Sequence, residues 1–246
     1  MRKGIILADE QIPHQIRLDP VNAYIADFQP DIVCRLGDML DMEALQGWNH
    51  KKPAQIDWEE IRNEIRIANE ILDRQDSLHK AKEKHFWMGN HEERLKYFRE
   101  QHIEYWRKNF STMPYLVRDL KFKERGYKVH GQNDTVPFGK LHMFHGNDWS
   151  THHARKNLSD YEVNLVYGHV HSPQRYTKVS RVSASPKSAW SVGCLCSRNP
   201  AWKNKAPNAW VNGFAIFYLH DDGNFNLYTI DIIKGRFYSP EGKLYK

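Results

Sequence analysis

The chain has 246 residues, 40% of them hydrophobic and 13% aromatic, which is enough for a packed core and argues against wholesale disorder. Its formal charge of +6, from 36 Lys and Arg against 30 Asp and Glu, permits a polyanionic partner such as nucleic acid without demanding one. Three cysteines (Cys34, Cys194, Cys196) exclude a fully paired disulfide framework, and no stretch approaches a membrane span, so a soluble, cytoplasmic protein is expected.

Taken in chain order, GIILAD (4–9) reads as a short apolar strand ending in an acid. DPVNAYIADF (19–28) reads as a helix, with Asp19 as cap, Pro20 in the first turn and Val21, Tyr24, Ile25 and Phe28 on one face. DIVCRLGD (31–38) is a second strand ending in Gly-Asp. Residues 57–75 give the clearest helix. Asp57 caps it, and Ile61, Ile65, Ala68, Ile71 and Leu72 form its stripe. Glu59, Glu60, Arg62, Asn63, Glu64 and Arg66 read as a solvated face. KHFWMGN (84–90) is a third strand, followed by a charged, aromatic helix over about 92–108. This alternation predicts right-handed crossovers and a largely parallel sheet.

The second half turns β-rich. Residues 135–148 fold about a Phe-Gly-Lys turn, and 163–173 form a strand ending in histidines. Residues 188–196 and 213–233 read as antiparallel, the latter as a hairpin at Asp222-Gly223. One long irregular loop, 197–213, carries two prolines and two tryptophans. No linker or repeat divides the chain, so one domain over 1–246 is expected, with a helical insertion around 42–83.

Five strand ends offer oxygen or nitrogen ligands: Asp9 and Gln11, Asp38 and Asp41, Asn90 and His91, His145, and His169 with His171. In an open α/β sheet, sites gather beyond the carboxyl ends of the strands, so these groups can share one crevice. On extended backbone, residues i and i+2 point the same way, which would pair Asp9 with Gln11 and His169 with His171. Carboxylate, amide and imidazole without thiolate suit Mn²⁺, Fe²⁺, Zn²⁺ or Ni²⁺ better than Ca²⁺ or a Cys-bound zinc. The candidates are too many for one tetrahedral ion and suit two, with Asp38 best placed to bridge.

Asp9-x-Gln11, Gly37-Asp38-x-x-Asp41, Gly89-Asn90-His91-Glu92, His145 and Gly168-His169-x-His171, in that order, resemble the calcineurin-like metallophosphoesterase superfamily. The resemblance implies an α/β fold, a two-sheet sandwich flanked by helices in four α/β/β/α layers. It implies that Asp9, Gln11 and His171 hold one divalent ion and that Asn90, His145 and His169 hold a second. Asp38 would bridge them, with a hydroxide between the ions as nucleophile. His91 would contact the phosphate and protonate the leaving oxygen, making Asp38 and His91 the catalytic residues. Asp41 is either a residue orienting a ligand or a cap after the strand, and Glu92 starts the helix. The common first motif is Asp-x-His. Gln11 departs from it and tilts that site toward Mn²⁺ or Mg²⁺, so Mn²⁺ is favoured over Fe, Zn, Ni or Mg. His14 either supplies a ligand or lines the pocket, and His152 and His153 are expected at the surface or rim.

Three substrate readings follow. A phosphodiesterase acting on DNA, RNA or nucleotides fits the basic charge and the aromatic, basic segments at Trp48, His50, Lys51 and Lys52 and at Trp202, Lys203, Lys205 and Trp210, which could stack bases and hold phosphates or merely pack the loops. A phosphomonoesterase of the protein phosphatase branch would carry Arg-Gly after the second motif, where this chain has Met42-Glu43. A scaffold that has lost its metals should have lost more ligands than position 11. The tail resembles calcineurin-like phosphoesterases encoded by bacteriophages and bacteria, which implies the cytoplasm, that of the host if the chain is phage-encoded.

Overall fold

The computed structural model describes residues 1–46, 53–109, 115–181, 185–200 and 208–246. Among these, strands form two large sheets and one short hairpin. In the first sheet, β1 (Arg2–Leu7), β2 (Ile32–Arg35), β3 (Glu83–Trp87) and β4 (Tyr127–His130) run parallel. The antiparallel hairpin β10 (Gly213–Leu219) and β11 (Phe225–Asp231) extends it beyond β1. The second sheet has the order β5 (Val136–Phe138), β6 (Leu141–Phe144), β7 (Asn164–Tyr167), β9 (Pro186–Ser191) and β8 (Gln174–Val179). The segment expected to be antiparallel at 188–196 is mixed, because β9 pairs parallel with β7 and antiparallel with β8. No helix of the described residues is long and apolar enough to cross a membrane.

The two-residue period of the strands builds the layers. Ile6 and Cys34 face inward, meeting Leu141, Met143 and Val166 of the second sheet in a fully buried core. Ile5, Leu7 and Val33 face the other way, onto Val21, Tyr24 and Ile25 of α1 (Asp19–Phe28). On the far side, α6 (His153–Tyr161) sets Ala154 and Leu158 against Phe144, Leu165 and Tyr167. Each such buried aliphatic or aromatic side chain contributes about 1.5–3 kcal/mol. The result is the two-sheet sandwich flanked by helices.

Local chemistry departs from expectation in three places. Asp19 is the first helical residue of α1 rather than its cap; the cap position is Leu18, and Asp19 accepts from Arg17 Nε at 2.8 Å. In α2 (Trp58–Asp76), Asp57 does cap, accepting from the N–H groups of Glu59 and Glu60. Glu64, however, is buried rather than solvated. It accepts from Met42 N–H at 2.9 Å, and burial together with Asp41 and Glu60 pushes it up to about 8. The helix expected over 92–108 is two, α3 (Asn90–Gln101) and α4 (Ile103–Asn109), with a break at His102. Trp106 of α4 is fully buried, with its ring 4.5 Å from that of Trp58. α5 (Leu116–Asp119) and the hairpin of β12 (Phe237–Tyr238) and β13 (Leu244–Tyr245) complete the elements.

At the β3–β4 edge, His85 Nδ1 lies 2.8 Å from His130 Nε2, and His85 Nε2 lies 3.1 Å from Glu83 Oε1. One of the two nitrogens in the first contact must accept, so at least one ring is neutral there. Burial, with His85 and Lys128 nearby and Asp134 opposing, pulls His130 down to about 4, and burial and Lys128 lower His85 against the pull of Glu83. Both folded values lie below the unfolded value near 6.5. Their stabilisation is therefore complete above about pH 6.5 and is lost as pH falls toward 4. The melting temperature should drop across that window, and His130→Gln should flatten the drop; an unchanged slope in the variant would contradict the assignment.

Candidate metal centre

The parallel pairing of β1 and β2 continues past the strand ends. Asp9 N–H donates to Gly37 O at 3.0 Å and Gln11 N–H to Asp38 O at 2.9 Å, which holds the first two motifs side by side. The convergence does not come from an extended pleat. Asp9, Gln11, Asp38, His169 and His171 all have φ between 45° and 68°, in the left-handed region. Such a conformation costs on the order of 1–2 kcal/mol per residue, so it persists only where the surroundings enforce it. Close approach also explains the motif glycines. A Cβ at Gly89 would lie 2.0 Å from Asp38 Oδ1, and one at Gly37 (φ +91°) would lie 2.7 Å from Gly89 N.

Two groups of candidate ligands result. Asp38 Oδ2 lies 3.5 Å from His145 Nε2, which is 3.1 Å from Asn90 Oδ1, and one atom each of Asp38, His145 and His169 lie within 4.8 Å of one another. His145 Nδ1 is bonded to Leu36 O, leaving Nε2 to face the cluster. Beside it, His171 Nε2 is 3.4 Å from Asp9 Oδ1, and His169 N–H donates to Asp9 at 3.0 Å. Gln11 Nε2 reaches to 3.4 Å from His91 Nε2.

His91 N–H donates to Asp38 Oδ1 at 2.9 Å, and its Nδ1 lies 2.8 Å from Asp41 O and 2.9 Å from Asp41 Oδ1. Asp41 thus orients His91 rather than capping a helix. His14 is half-exposed, with Nε2 3.5 Å from Asp41 Oδ2 and 3.9 Å from Glu43 Oε2, at the rim. His152 is exposed as expected. His153 is not: it is buried, with Nδ1 2.7 Å from Tyr167 OH, because α6 turns it onto the second sheet. Trp48, His50, Lys51, Lys52, Trp202, Lys203 and Lys205 lie outside the described residues.

The roles of four residues were missed in the sequence. Glu92 does more than start a helix. Its buried carboxylate accepts from Asp38 N–H (2.9 Å), Leu40 N–H (3.0 Å) and Gly89 N–H (2.8 Å), clasping the second motif to the third. The Gly-x-x-Glu spacing of a capping box was the available signal. Arg94 donates to Asp41 O at 2.6 Å and sits 3.1 Å from His91 Nε2. Cys194 and Cys196 bring two thiols beside His171, where the sequence alone does not place them. Leu195 N–H bonds Ala8 O and Asp9 O at 3.1 Å, which seats both buried thiols within 4.8 Å of His171, Cys196 Sγ being 3.8 Å from Nδ1.

Charge in this cluster is unbalanced. Burial and the neighbouring Asp38 carboxylate raise Asp9 well above the usual carboxylate range and push Glu92 up to about 7. Burial opposes ionisation of Asp38 too, but His91, His145 and His169 hold its carboxyl below the ordinary value. Both ring nitrogens of His169 are buried without a hydrogen-bond partner, and burial and His145 lower its pKa to about 4. Unpaired imidazole lone pairs beside crowded carboxylates are what a divalent cation requires, so the residues fit the expected ions.

A scan against protein-family models and a search of curated proteins find no match. Among solved structures, the chain is similar to Vps29 of Chaetomium thermophilum, at 8% identity and a TM-score of 0.49, over 99% of this chain and 95% of that one. A second solved structure is similar at 12% identity and a TM-score of 0.52, over 92% of this chain and 98% of that one. At such identity the likeness concerns the fold alone. What is shared is the layered two-sheet sandwich.

Glu92→Gln keeps the size of the clasp but turns one acceptor into a donor facing backbone N–H groups. Urea unfolding should show a loss of about 2–4 kcal/mol. A loss under about 0.5 kcal/mol, the range of an ordinary surface change, would remove the clasp from the account.

Proposed function

We propose that this protein is a divalent-metal-dependent phosphoester hydrolase that cleaves phosphodiesters of nucleic acids or nucleotides. The observation that supports it most is the convergence of Asp38, His145 and His169, with both His169 ring nitrogens buried and unpaired, at the carboxyl ends of parallel strands. Asp9, Gln11 and His171 would hold one ion, Asn90, His145 and His169 the other, and Asp38 both, with Mn²⁺ suited to this oxygen and nitrogen set. When bound, such ions polarise the phosphoryl group and lower the pKa of the attacking water.

The remaining work falls to the chain. Asp41 anchors His91 through Nδ1 and leaves Nε2 toward the crevice. Burial and Arg94 oppose protonation of His91, but Asp38 and Asp41 outweigh them and push it up to about 9. In this structure Nε2 faces the donor groups of Arg94 and Gln11; as general acid, His91 would carry a proton on that nitrogen once substrate engages Arg94, and give it to the leaving oxygen as the phosphorus–oxygen bond breaks. An alkoxide leaving group, as in a nucleic acid diester, needs that proton. Arg94, 3.1 Å from the same nitrogen, would share a phosphoryl oxygen with it as a second donor.

In Mn²⁺-loaded protein, Asp38→Asn and His169→Ala should abolish hydrolysis of both bis(4-nitrophenyl) phosphate and linear DNA while unfolding stays cooperative. Full activity in either variant would end the assignment, and turnover of monoesters alone would move it to a phosphatase. His91→Gln should lower kcat on DNA by about 10²–10⁴ and far less on the nitrophenyl ester, whose leaving group needs no proton. Equal losses on the two substrates would deny His91 the role of acid.

A further inference from the structure

Next to the ligand histidines lies an open cleft of about 610 Å³. Two tryptophans flank it, and each abuts one of those histidines. The Trp149 ring lies 5.2 Å from that of His169, and the Trp210 ring lies 4.2 Å from that of His171. Val170, Pro173 and Ser172 form part of the wall between them, and Asp231 sets a carboxylate on the lining.

Trp149 is 79% exposed, the most exposed large apolar side chain among the described residues. Leaving so much aromatic surface in water forfeits burial, so its position calls for a reason. Nor is it a loose loop tip. Asp148, the residue before it, accepts from Ser150 N–H at 2.8 Å and pairs with Lys156 of α6, so the turn that presents the ring is held on both sides. Among the described lining residues there is no Lys or Arg, which argues against a groove for backbone phosphates. Aromatic faces, apolar patches at Val170 and Pro173, and polar side chains that include Asp231 and Gln174 match a flat, amino-bearing heteroaromatic ring.

We infer that the cleft between Trp149 and Trp210 is a base pocket, in which a purine or pyrimidine of the substrate stacks on Trp149 while its phosphoryl group lies at the histidine cluster. This rests on the reading of that cluster as a phosphoester centre. It places base recognition at Trp149, four residues after His145, and at Trp210 of the same 197–213 loop as Trp202.

The test is equilibrium binding of adenosine 5′-monophosphate and ribose 5-phosphate, by calorimetry, to the Mn²⁺-loaded wild type, Trp149→Ala and Trp149→Phe. The nucleotide should bind at least about tenfold more tightly than the sugar phosphate, Trp149→Ala should lose about tenfold for the nucleotide, and Trp149→Phe should restore most of it. Equal binding of the two ligands, or a nucleotide preference that survives Trp149→Ala, overturns the pocket. A base preference that depends on Trp149 in a protein that hydrolyses no ester would uphold the pocket and end the hydrolase reading instead.

Discussion

Asp9 and Asp38 are buried carboxylates at the tips of adjacent parallel strands, and the burial of two negative charges so close together is the constraint around which the rest is arranged. In a low-dielectric interior, neither can ionise freely unless positive charge comes to them. The chain supplies part of it with the backbone N–H groups of His91 and His169, which donate to Asp38 and Asp9. What those groups leave uncompensated at Asp9 is the charge that a divalent ion would bring. Arg35 repeats the logic one residue on: fully buried, it meets Glu10 at 2.6 Å and ties the first motif to the second strand.

The arrangement costs backbone energy. Five ligand candidates in the left-handed region and two glycines in near-contact with neighbouring motifs make a crowded, strained set of strand ends. The offset lies in the layers below, where Ile6, Cys34, Met143 and Val166 are packed between the sheets without exposure. A rigid two-sheet core is also what lets candidate ligands from both sheets meet: Asp9, Asp38 and Asn90 follow strands of the first, His145 and His169 strands of the second. The buried clasp of Glu92 across the second and third motifs converts that core rigidity into positional precision at the ligands.

Much of this was legible in the chain. Apolar runs ending in Asp, Asn or His marked the ligand-bearing strands, and the stripe from Ile61 to Leu72 marked α2, because burial on both faces of a sheet and on one face of a helix leaves a periodic trace. What could not be read depended on partners far apart in sequence. Glu64 looks like any helix-face acid until Met42 is brought to it, and Cys196 looks unrelated to His171 until Leu195 binds the backbone of Asp9. The left-handed conformations escaped for another reason: Asp, Gln and His in turns carry no glycine to announce a positive φ. Trp149 escaped because one tryptophan in a polar turn has no pattern, and only the fold sets it beside His169.

The central claim is that these buried side chains form a two-ion centre bridged by Asp38. Anomalous diffraction at the manganese edge from Mn²⁺-soaked crystals tests it most directly. The account predicts two peaks, about 3.5–4 Å apart, on either side of Asp38, one beside Asp9 and His171 and the other beside Asn90, His145 and His169. The absence of density at Asp38, or an ion held only by His171, Cys194 and Cys196, would contradict it.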